Sequence, residues 1–192
     1  MAIDPLPRFH RWFAQARRSG LPQPEAMALS TADRRGRPAA RMVLLKEVDP
    51  RGFVFFTNAR SRKGRELAVN PHASLLFWWD PLGRQVRVEG RVEAIGSDEA
   101  DAYWATRPRA SQLAAIASAQ SAPIASRAAL LARWRTVAAR YRGRAVPRPA
   151  HWTGFRVVPA SIEFWTHGAD RLHDRERFTR RGRRWTVERL QP

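Results

Sequence analysis

Short apolar runs separated by turn signals recur along most of this chain. The runs Met42–Leu45 and Phe53–Phe56 flank the turn sequence Asp49-Pro50-Arg51-Gly52, and this pattern predicts a β-hairpin. Between Arg84 and Ala94 apolar and polar residues alternate, which is typical of a strand with one buried face. The nearly continuous apolar run Ala73–Trp79 instead predicts a strand that is buried on both faces.

Further elements follow from the same kind of pattern. Strands are predicted at 26–31, 152–158, 161–165, 174–179 and 185–190, and helices at about 5–19, 61–70, 97–106, 111–119 and 125–141. In the first helix Phe9, Trp12, Phe13 and Ala16 have the spacing of one apolar face. Because the strands follow one another as hairpins, the pattern favours a mainly β fold with added helices, either an antiparallel sheet or a closed barrel.

The length of 192 residues is typical of one domain. We expect a single domain over residues 1–192, with an N-terminal helix within 1–20, a helical insertion at 97–143 and C-terminal strands at 151–192. The lack of cysteine excludes disulfides and cysteine metal sites, and the five histidines have no metal-ligand spacing, so no metal is expected. No apolar run is long enough for a bilayer and the first residues lack a signal-peptide layout, which predicts a cytoplasmic protein without a membrane partner.

The formal net charge of +18 would by itself favour a nucleic-acid partner. However, 33 of the 35 basic residues are arginine, which indicates a coding bias spread over the whole surface and weakens that inference. The two lysines, Lys46 and Lys63, both fall within the segment 41–63. Arginine does not easily replace a compact ammonium group at a tight phosphate site, although chance also explains this placement.

Side chains that can bind phosphate gather at the ends of the predicted hairpin. They are Arg41, Lys46, Arg60, Arg62 and Lys63, together with the hydroxyls of Thr57 and Ser61. A second group, Tyr103, Arg107 and Ser111, is spaced four residues apart, so one continuous helix would carry all three on one face. This second group fits either another phosphate or a solvated helix face.

Two further polar groups stand near predicted turns. Gln120-Ser121 belongs either to a site or only to a turn that ends a helix. Trp165 with the run Arg171–Arg175 fits either the mouth of a site or a core residue beside a solvated hairpin end. The sequence has no dinucleotide fingerprint, phosphate loop, zinc-protease motif or nucleophile elbow, so an enzyme with this sequence would obtain its reactive atoms from a bound cofactor.

A set of ordered motifs is shared with a known family. In order they are RMVLLK, FFTNxxSRK, RQVRVEG, YWxTRPRxSQ, AQS, EFWxxGxxRLHDR and WxxxRLxP, and together they extend from about Asp4 to Pro192. On these motifs the chain closely resembles the pyridoxine/pyridoxamine 5′-phosphate oxidases. The resemblance implies the FMN-binding split β-barrel fold, antiparallel and homodimeric, with two FMN sites at the subunit interface.

The resemblance also implies a role for each matching residue. The implied FMN contacts, partly from the second subunit, are Arg41, Met42, Val43, Leu44, Leu45, Lys46, Phe56, Thr57, Arg62, Lys63, Gln85, Gln120, Ser121, Trp165 and Arg175. Within that set Arg41, Arg62 and Lys63 are the expected phosphate clamp. The implied substrate contacts are Lys46, Tyr103, Arg107 and Ser111 at the phosphate, and Arg171, Leu172 and His173 at the pyridine ring, with Arg171 and His173 as catalytic residues.

The implied reaction oxidises the C4′ carbon of pyridoxamine or pyridoxine 5′-phosphate. A hydride moves to flavin N5, dioxygen reoxidises the flavin, and the products are pyridoxal 5′-phosphate and hydrogen peroxide. The implied partners are these small molecules and a second copy of the chain, with no nucleic acid.

Three other interpretations remain open from the sequence. One is a related FMN oxidase of the phenazine-biosynthesis type; the set Lys46, Tyr103, Arg107 and Ser111 argues against it, because a substrate without phosphate would not need those cations. The others are a basic nucleic-acid-binding barrel and a non-catalytic carrier of flavin or vitamin B6.

Two features depart from the family pattern. Phe56 stands where a tyrosine is common, which removes one hydroxyl, while the adjacent Thr57 can still provide one. The sequence also begins later than in longer relatives, so we expect the N-terminal segment that can cover their active site to be missing.

Overall fold

The structure is a computed structural model, and it describes residues 3–192. The helices in this range are α1 (Leu6–Arg18), α2 (Arg62–Val69), α3 (Ser97–Thr106), α4 (Arg109–Ala117) and α5 (Arg127–Arg140). The strands are β1 (Ala26–Ala32), β2 (Pro38–Leu44), β3 (Glu47–Asp49), β4 (Gly52–Asn58), β5 (His72–Trp79), β6 (Arg84–Ala94), β7 (Trp152–Thr166), β8 (Asp174–Arg181) and β9 (Arg184–Arg189). Short 3₁₀ turns lie at Asp80–Leu82 and Ala169–Arg171.

The nine strands form one antiparallel sheet, and most of the buried apolar side chains form one large cluster beside a smaller one around Trp104 and Trp152. Its order is β2-β1-β5-β6-β7-β4-β3, and β8 and β9 extend it from β7. Along one edge, β7 pairs with β4 through its first half and with β8 through its second half. The predicted mainly β, antiparallel fold with added helices is therefore confirmed.

Helix α1 packs its apolar face onto the sheet, as its spacing predicts. Phe9, Trp12 and Ala16 are buried, and the Phe9 ring centroid lies 4.9 Å from that of Phe53. Each fully buried aromatic side chain contributes about 1.5–3 kcal/mol of transfer free energy, so this face holds α1 in place. None of the helices described is both long and apolar enough to cross a membrane.

The central hairpin has a different first strand from the one predicted. The turn does join two antiparallel strands, but they are β3 and β4, with Asp49 opposite Gly52. The run Met42–Leu45 is mostly in β2, and β2 pairs with β1 instead. The chain changes partners at Lys46, whose backbone N–H donates to Val54 O at 2.9 Å. A pattern of apolar runs locates strands but does not specify which neighbour they pair with.

Gly52 is required at this turn. Its φ is +146°, and an added Cβ would lie 2.1 Å from the backbone oxygen of Val157 on β7. Any side chain would therefore push β7 away from β4.

The prediction that β5 is buried on both faces is wrong for the single chain. Ala73, Leu75, Phe77 and Trp79 are buried, but Trp78 between them is 49% exposed. The alternation is invisible in the sequence because the outward positions are also apolar, and Trp78 packs against Trp165 on the outer face at 5.8 Å between ring centroids.

The two strands predicted at 152–158 and 161–165 form one strand, β7. Pro159 is opposite Gly90, where the pairing of β6 and β7 shifts register by a bulge. A bulge is where a sheet tolerates a residue that has no N–H, so this proline bends the strand without ending it.

Candidate active site

Lys63 is a buried cation in the first turn of α2, close to the end of β4. Its Nζ donates to the Thr57 hydroxyl and to Gln120 Oε1, each at 3.2 Å. The Thr57 hydroxyl donates to the same Gln120 oxygen at 3.1 Å. Burial lowers the pKa of Lys63, and the charge of Arg41 lowers the same pKa further. These hydrogen bonds go to neutral groups, so the ammonium charge remains uncompensated by direct contact.

Arg41 and Arg62 share one buried carboxylate. Arg41 NH2 donates to Glu66 Oε2 at 3.0 Å, and Arg62 Nε donates to Glu66 Oε1 at 2.8 Å. Hydrogen bonds to Arg41, Arg62 and the Thr31 hydroxyl lower the pKa of Glu66 despite its burial. Glu66 and Thr31 were not among the predicted site residues, because no motif marks them and only the fold brings them beside Arg41.

A cavity of about 370 Å³ opens beside Thr57. Phe56, Thr57, Arg107, Ser111, Gln120 and Trp152 are among the residues that line it. Residues expected to bind FMN and residues expected to bind the substrate phosphate thus lie on the walls of one cavity.

Arg107 lines this cavity from the residue after α3 and Ser111 from α4, so the continuous helix that would carry both on one face does not form. Helix α3 ends at Thr106 and α4 begins at Arg109. Pro108 causes the break, because a proline disfavours helical backbone in the residue before it. Arg107 accordingly has extended dihedrals, with φ −71° and ψ 142°. The bend at Pro108 leaves Arg107 and Ser111 on the wall of the same cavity, although no single helix face carries both.

Arg107 retains an unused hydrogen-bond donor. Its guanidinium carbon lies 4.7 Å from the ring centroid of Trp152, and NH2 donates to Ser111 O at 3.1 Å. Its Nε is buried and has no hydrogen-bond partner within residues 3–192. Burial also lowers the pKa of Arg107 from its usual value. A buried donor without a partner is costly. Arg107 as a residue lines the cavity, which makes it a candidate for binding a ligand there.

Three stacked rings form a wall beside this arginine. The Phe56 centroid lies 4.0 Å from that of Tyr103 and 5.1 Å from that of Trp152, with interplanar angles of 19° and 11°. Trp152 was predicted only as the start of a strand. Its contacts with Phe56 and Arg107 make it a supporting residue of the site.

A second group lies across β6, β7 and β8. Gln85, Trp165 and Arg175 are consecutive partners in the sheet, so their side chains share one face. Arg175 Nε donates to the buried Glu163 at 2.9 Å, and the His173 ring centroid lies 4.5 Å from that of Trp165. Glu163 stands first in the motif EFWxxGxxRLHDR, but it was not among the predicted site residues.

Backbone strain coincides with predicted site residues. The non-glycine residues with positive φ in the described chain are Ser121 (71°), Asp170 (53°) and Arg171 (64°). Left-handed backbone costs free energy for residues with a side chain, and it is common at functional sites. Ser121 and Arg171 are both predicted site residues.

The other predicted residues differ in how far they are exposed. Leu45 is buried, Val43 and Leu44 are partly buried, and Lys46 is exposed where β2 gives way to β3. Met42 and Leu172 are the most exposed of the large apolar residues, at 64% and 73%.

The two groups lie towards opposite ends of β7. Trp152 at its first residue belongs to the cavity of Arg107, whereas Trp165 near its last residue belongs to the group of His173 and Arg175. In a single chain these two groups are therefore separated along one strand.

Two family models match this chain. The model described as "Pyridoxamine 5′-phosphate oxidase" matches residues 13–165. The model described as "Pyridoxine 5′-phosphate oxidase C-terminal dimerisation region" matches residues 152–192, which include β7, β8 and β9.

Curated relatives match along nearly their whole length. A pyridoxine/pyridoxamine 5′-phosphate oxidase of Paraburkholderia phymatum is 56% identical over 193 residues, covering 99% of this chain and 91% of the relative. One from Thermosynechococcus vestitus is 55% identical over 191 residues, covering 100% of this chain and 90% of the relative.

Solved structures with a similar fold include PhzG from Burkholderia lata 383 in complex with tetrahydrophenazine-1-carboxylic acid. It matches with a TM-score of 0.93 and 36% identity, covering 98% of this chain and 93% of that one. A pyridoxamine 5′-phosphate oxidase-related, FMN-binding protein from Nostoc punctiforme matches with a TM-score of 0.79 and 18% identity, with full coverage of both chains, and supports the fold alone.

These matches cover both the N-terminal part of the chain and the C-terminal dimerisation region, at more than half identity to curated oxidases. The chain belongs to the pyridoxine/pyridoxamine 5′-phosphate oxidase family, a family of oxidoreductases.

Proposed function

We propose that this protein uses FMN and dioxygen to oxidise pyridoxine 5′-phosphate and pyridoxamine 5′-phosphate to pyridoxal 5′-phosphate. The alcohol and dioxygen give the aldehyde and hydrogen peroxide; the amine and dioxygen, with one water, give the aldehyde, ammonia and hydrogen peroxide. This activity belongs to vitamin B6 salvage and pyridoxal phosphate biosynthesis.

The observation that carries the proposal is the single cavity lined by Arg107, Ser111, Thr57 and Gln120. Arginine donors suit the oxygens of a phosphate, and the stacking on Trp152 holds the guanidinium plane in one orientation. Ser111 lies on the same cavity, and Tyr103 is held beside it by the Phe56 ring. Together with Lys46, these residues form the proposed anchor for the substrate phosphate.

The chemistry of the second donor set fits FMN. Arg41, Arg62 and Lys63 provide cationic N–H donors, and Thr57 adds a hydroxyl beside the buried ammonium group. We assign these residues to the flavin phosphate, and the segment Met42–Lys46, Phe56, Gln85, Gln120, Ser121, Trp165 and Arg175 to the rest of FMN. FMN, when bound, would supply the hydride acceptor and pass the electrons to dioxygen.

Arg171 and His173 are assigned to the substrate ring, with Leu172 between them. His173 Nδ1 accepts a hydrogen bond from the Gly168 N–H at 3.2 Å, which places the proton of a neutral ring on Nε2. Nε2–H is then the donor that can orient a substrate oxygen, while Arg171 adds positive charge beside the ring. When both phosphates are fixed, the flavin and the substrate ring already lie in position to react, so the reacting groups need not meet by diffusion.

Two copies of the chain are needed for this assignment. The half-site of Lys63 and Arg107 and the half-site of Trp165 and His173 lie towards opposite ends of β7, and residues 152–192 match the dimerisation region. We infer that each FMN site joins one half-site from each subunit of a homodimer.

A second candidate is an oxidase of the phenazine-biosynthesis type, favoured by the TM-score of 0.93 with PhzG. It is the weaker candidate, because the cavity of Arg107 provides cationic donors suited to a phosphate and the curated oxidases are more similar in sequence.

The test is an absorption spectrum of the purified protein, followed by anaerobic addition of pyridoxine 5′-phosphate. We expect a flavin spectrum that bleaches with the substrate and returns with air, with pyridoxal 5′-phosphate formed. A flavin spectrum that does not respond to either vitamer phosphate would favour the phenazine-type oxidase or a carrier. Failure to bind added FMN would contradict the proposal and return attention to nucleic acid.

A further inference from the structure

Glu66 is a buried carboxylate between the arginines of the proposed clamp. Its side chain is 6% exposed and lies on α2. It accepts hydrogen bonds from Thr31 on β1, from Arg41 on β2 and from Arg62 one helical turn earlier. An unpaired buried carboxylate would be strongly unfavourable, but here all of these donors satisfy it.

The contacts of Glu66 fix the guanidinium group of Arg41. On its other side Arg41 NH1 donates to Leu29 O at 3.2 Å and to the Thr31 hydroxyl. The Arg41 side chain is 20% exposed and bonded on two sides, so few other orientations are open to it. Arg62 is 60% exposed, and Glu66 is the contact that holds its otherwise free side chain.

Glu66 also sets the charge of the group. Arg41, Arg62 and Lys63 contribute three positive charges and Glu66 one negative charge, which leaves a net charge of +2. A phosphate monoester carries about −1.5 to −2 at neutral pH, so the two charges match. Without Glu66, three neighbouring cations would repel one another before any ligand arrived.

We propose that Glu66 is a positioning residue for the phosphate of a phosphomonoester ligand, acting through Arg41 and Arg62 without touching the ligand itself. The inference rests on the proposed function, which assigns these arginines to FMN. Glu66 lies outside the motifs shared with the family, and its loss should weaken the binding only of ligands that carry the phosphate.

The experiment titrates the full-length apoprotein with FMN and with riboflavin, which has the same ring but no phosphate. We expect Glu66→Ala to weaken FMN binding about tenfold or more, the size of one or two charge-assisted hydrogen bonds. Riboflavin binding should stay within about twofold of the wild-type value, because the arginines have no phosphate to hold. Glu66→Gln keeps one acceptor oxygen and should lose less FMN affinity than Glu66→Ala.

Glu93→Ala is the matched control, since it removes a negative charge from an exposed position on β6. It should leave both affinities unchanged. Equal losses for FMN and riboflavin in Glu66→Ala would indicate a structural role and overturn the inference, as would an unchanged FMN affinity. If Glu66→Ala does not fold, Glu66→Gln decides: weaker FMN binding with normal riboflavin binding supports the inference, and normal FMN binding overturns it.

A failure of the proposed function would look different. If the proposed oxidation fails, the flavin of the wild-type protein is not bleached by pyridoxine 5′-phosphate; if the FMN assignment fails, the wild-type protein does not prefer FMN to riboflavin. Failure of the inference alone leaves both of these wild-type properties intact.

Discussion

Trp152 and Trp165 lie on the same strand, β7, thirteen positions apart. At about 3.3 Å per residue, this corresponds to roughly 40 Å along the strand. Trp152 stacks with Phe56 beside the Arg107 cavity, and Trp165 contacts His173. Under the proposed assignment, a complete site therefore joins one end of β7 from one chain with the other end from a second chain, consistent with the dimerisation region at residues 152–192.

This separation predicts that two inactive variants complement each other. Lys63→Ala damages one half-site and Arg171→Ala the other, so each homodimer should have low activity. Random mixing gives about half heterodimers, each with one intact site of two, and therefore about a quarter of wild-type activity. The measurement is the rate of pyridoxal phosphate formation after co-expression of the two variants.

The control for complementation mixes Lys63→Ala with Thr57→Ala, two changes in the same half-site. In that heterodimer each of the two sites keeps one damaged half, so no comparable recovery is expected. Recovery in this control, or its absence in the first mixture, would contradict a site shared between subunits.

Lys63→Ala should reduce FMN retention more than it affects folding. Within residues 3–192 the ammonium group contacts no carboxylate, so its removal leaves no buried acidic partner behind. We expect FMN to bind about 10- to 100-fold more weakly, the range for a charged hydrogen bond. Arg65→Ala, an exposed change on the same helix, is the control, and a fully FMN-loaded Lys63→Ala protein would contradict the clamp assignment.

FMN affinity should also change with pH in the alkaline range, because Lys63 loses its proton there. Burial and the charge of Arg41 lower the pKa of Lys63 below its ordinary value of 10.5, so raising the pH neutralises this ammonium in the folded protein before it does so in the unfolded chain. FMN affinity should then fall at a pH below 10.5. The stability of the apoprotein should rise over the same interval, because there the unfolded chain binds the extra proton.

The measurement for this prediction is FMN affinity and apoprotein unfolding across that pH range, in wild type and in Lys63→Met. The variant cannot titrate at this position, so both trends should be reduced in it. Identical pH profiles in the two proteins would show that Lys63 is not the group responsible.

Arg171→Ala should leave FMN bound while impairing use of the substrate. Arg171 is exposed on a strained turn and was assigned to the substrate ring, away from the flavin phosphate donors. We expect kcat/KM for pyridoxine 5′-phosphate to fall by about 10-fold or more, with a normal flavin spectrum. Unchanged steady-state kinetics would remove Arg171 from the site.

Sequence pattern predicts the strands of this fold better than their partners. The alternation in β6 and the apolar face of α1 are correct because each follows from a single buried surface. The pairing of β2 with β1 and the outward position of Trp78 were missed, since they depend on contacts between distant segments and on apolar residues that also lie on outer faces.

For the candidate site, too, the sequence indicates residues better than it indicates which other residues they contact. Motifs identified Lys63, Arg107 and Gln120, and the structure brings Arg107 and Gln120 to one cavity. Glu66 was missed because it lies outside the shared motifs, and its contacts depend on Arg41 and Thr31 from other elements. Glu163 stands first in the motif EFWxxGxxRLHDR, but only the fold shows that it is buried and paired with Arg87 and Arg175.

Arg107→Lys should separate charge from geometry at the proposed substrate phosphate. Lysine keeps the positive charge but loses the planar group that stacks on Trp152 at 4.7 Å and the Nε donor that has no partner in the described chain. We expect KM for pyridoxine 5′-phosphate to rise about tenfold or more, while FMN affinity stays normal. Any slow oxidation of pyridoxine, which lacks the phosphate, should not change. Arg133→Lys, an exposed change on α5, controls for the substitution itself. If KM is unchanged, or if the phosphate-free substrate is affected equally, Arg107 does not hold the phosphate.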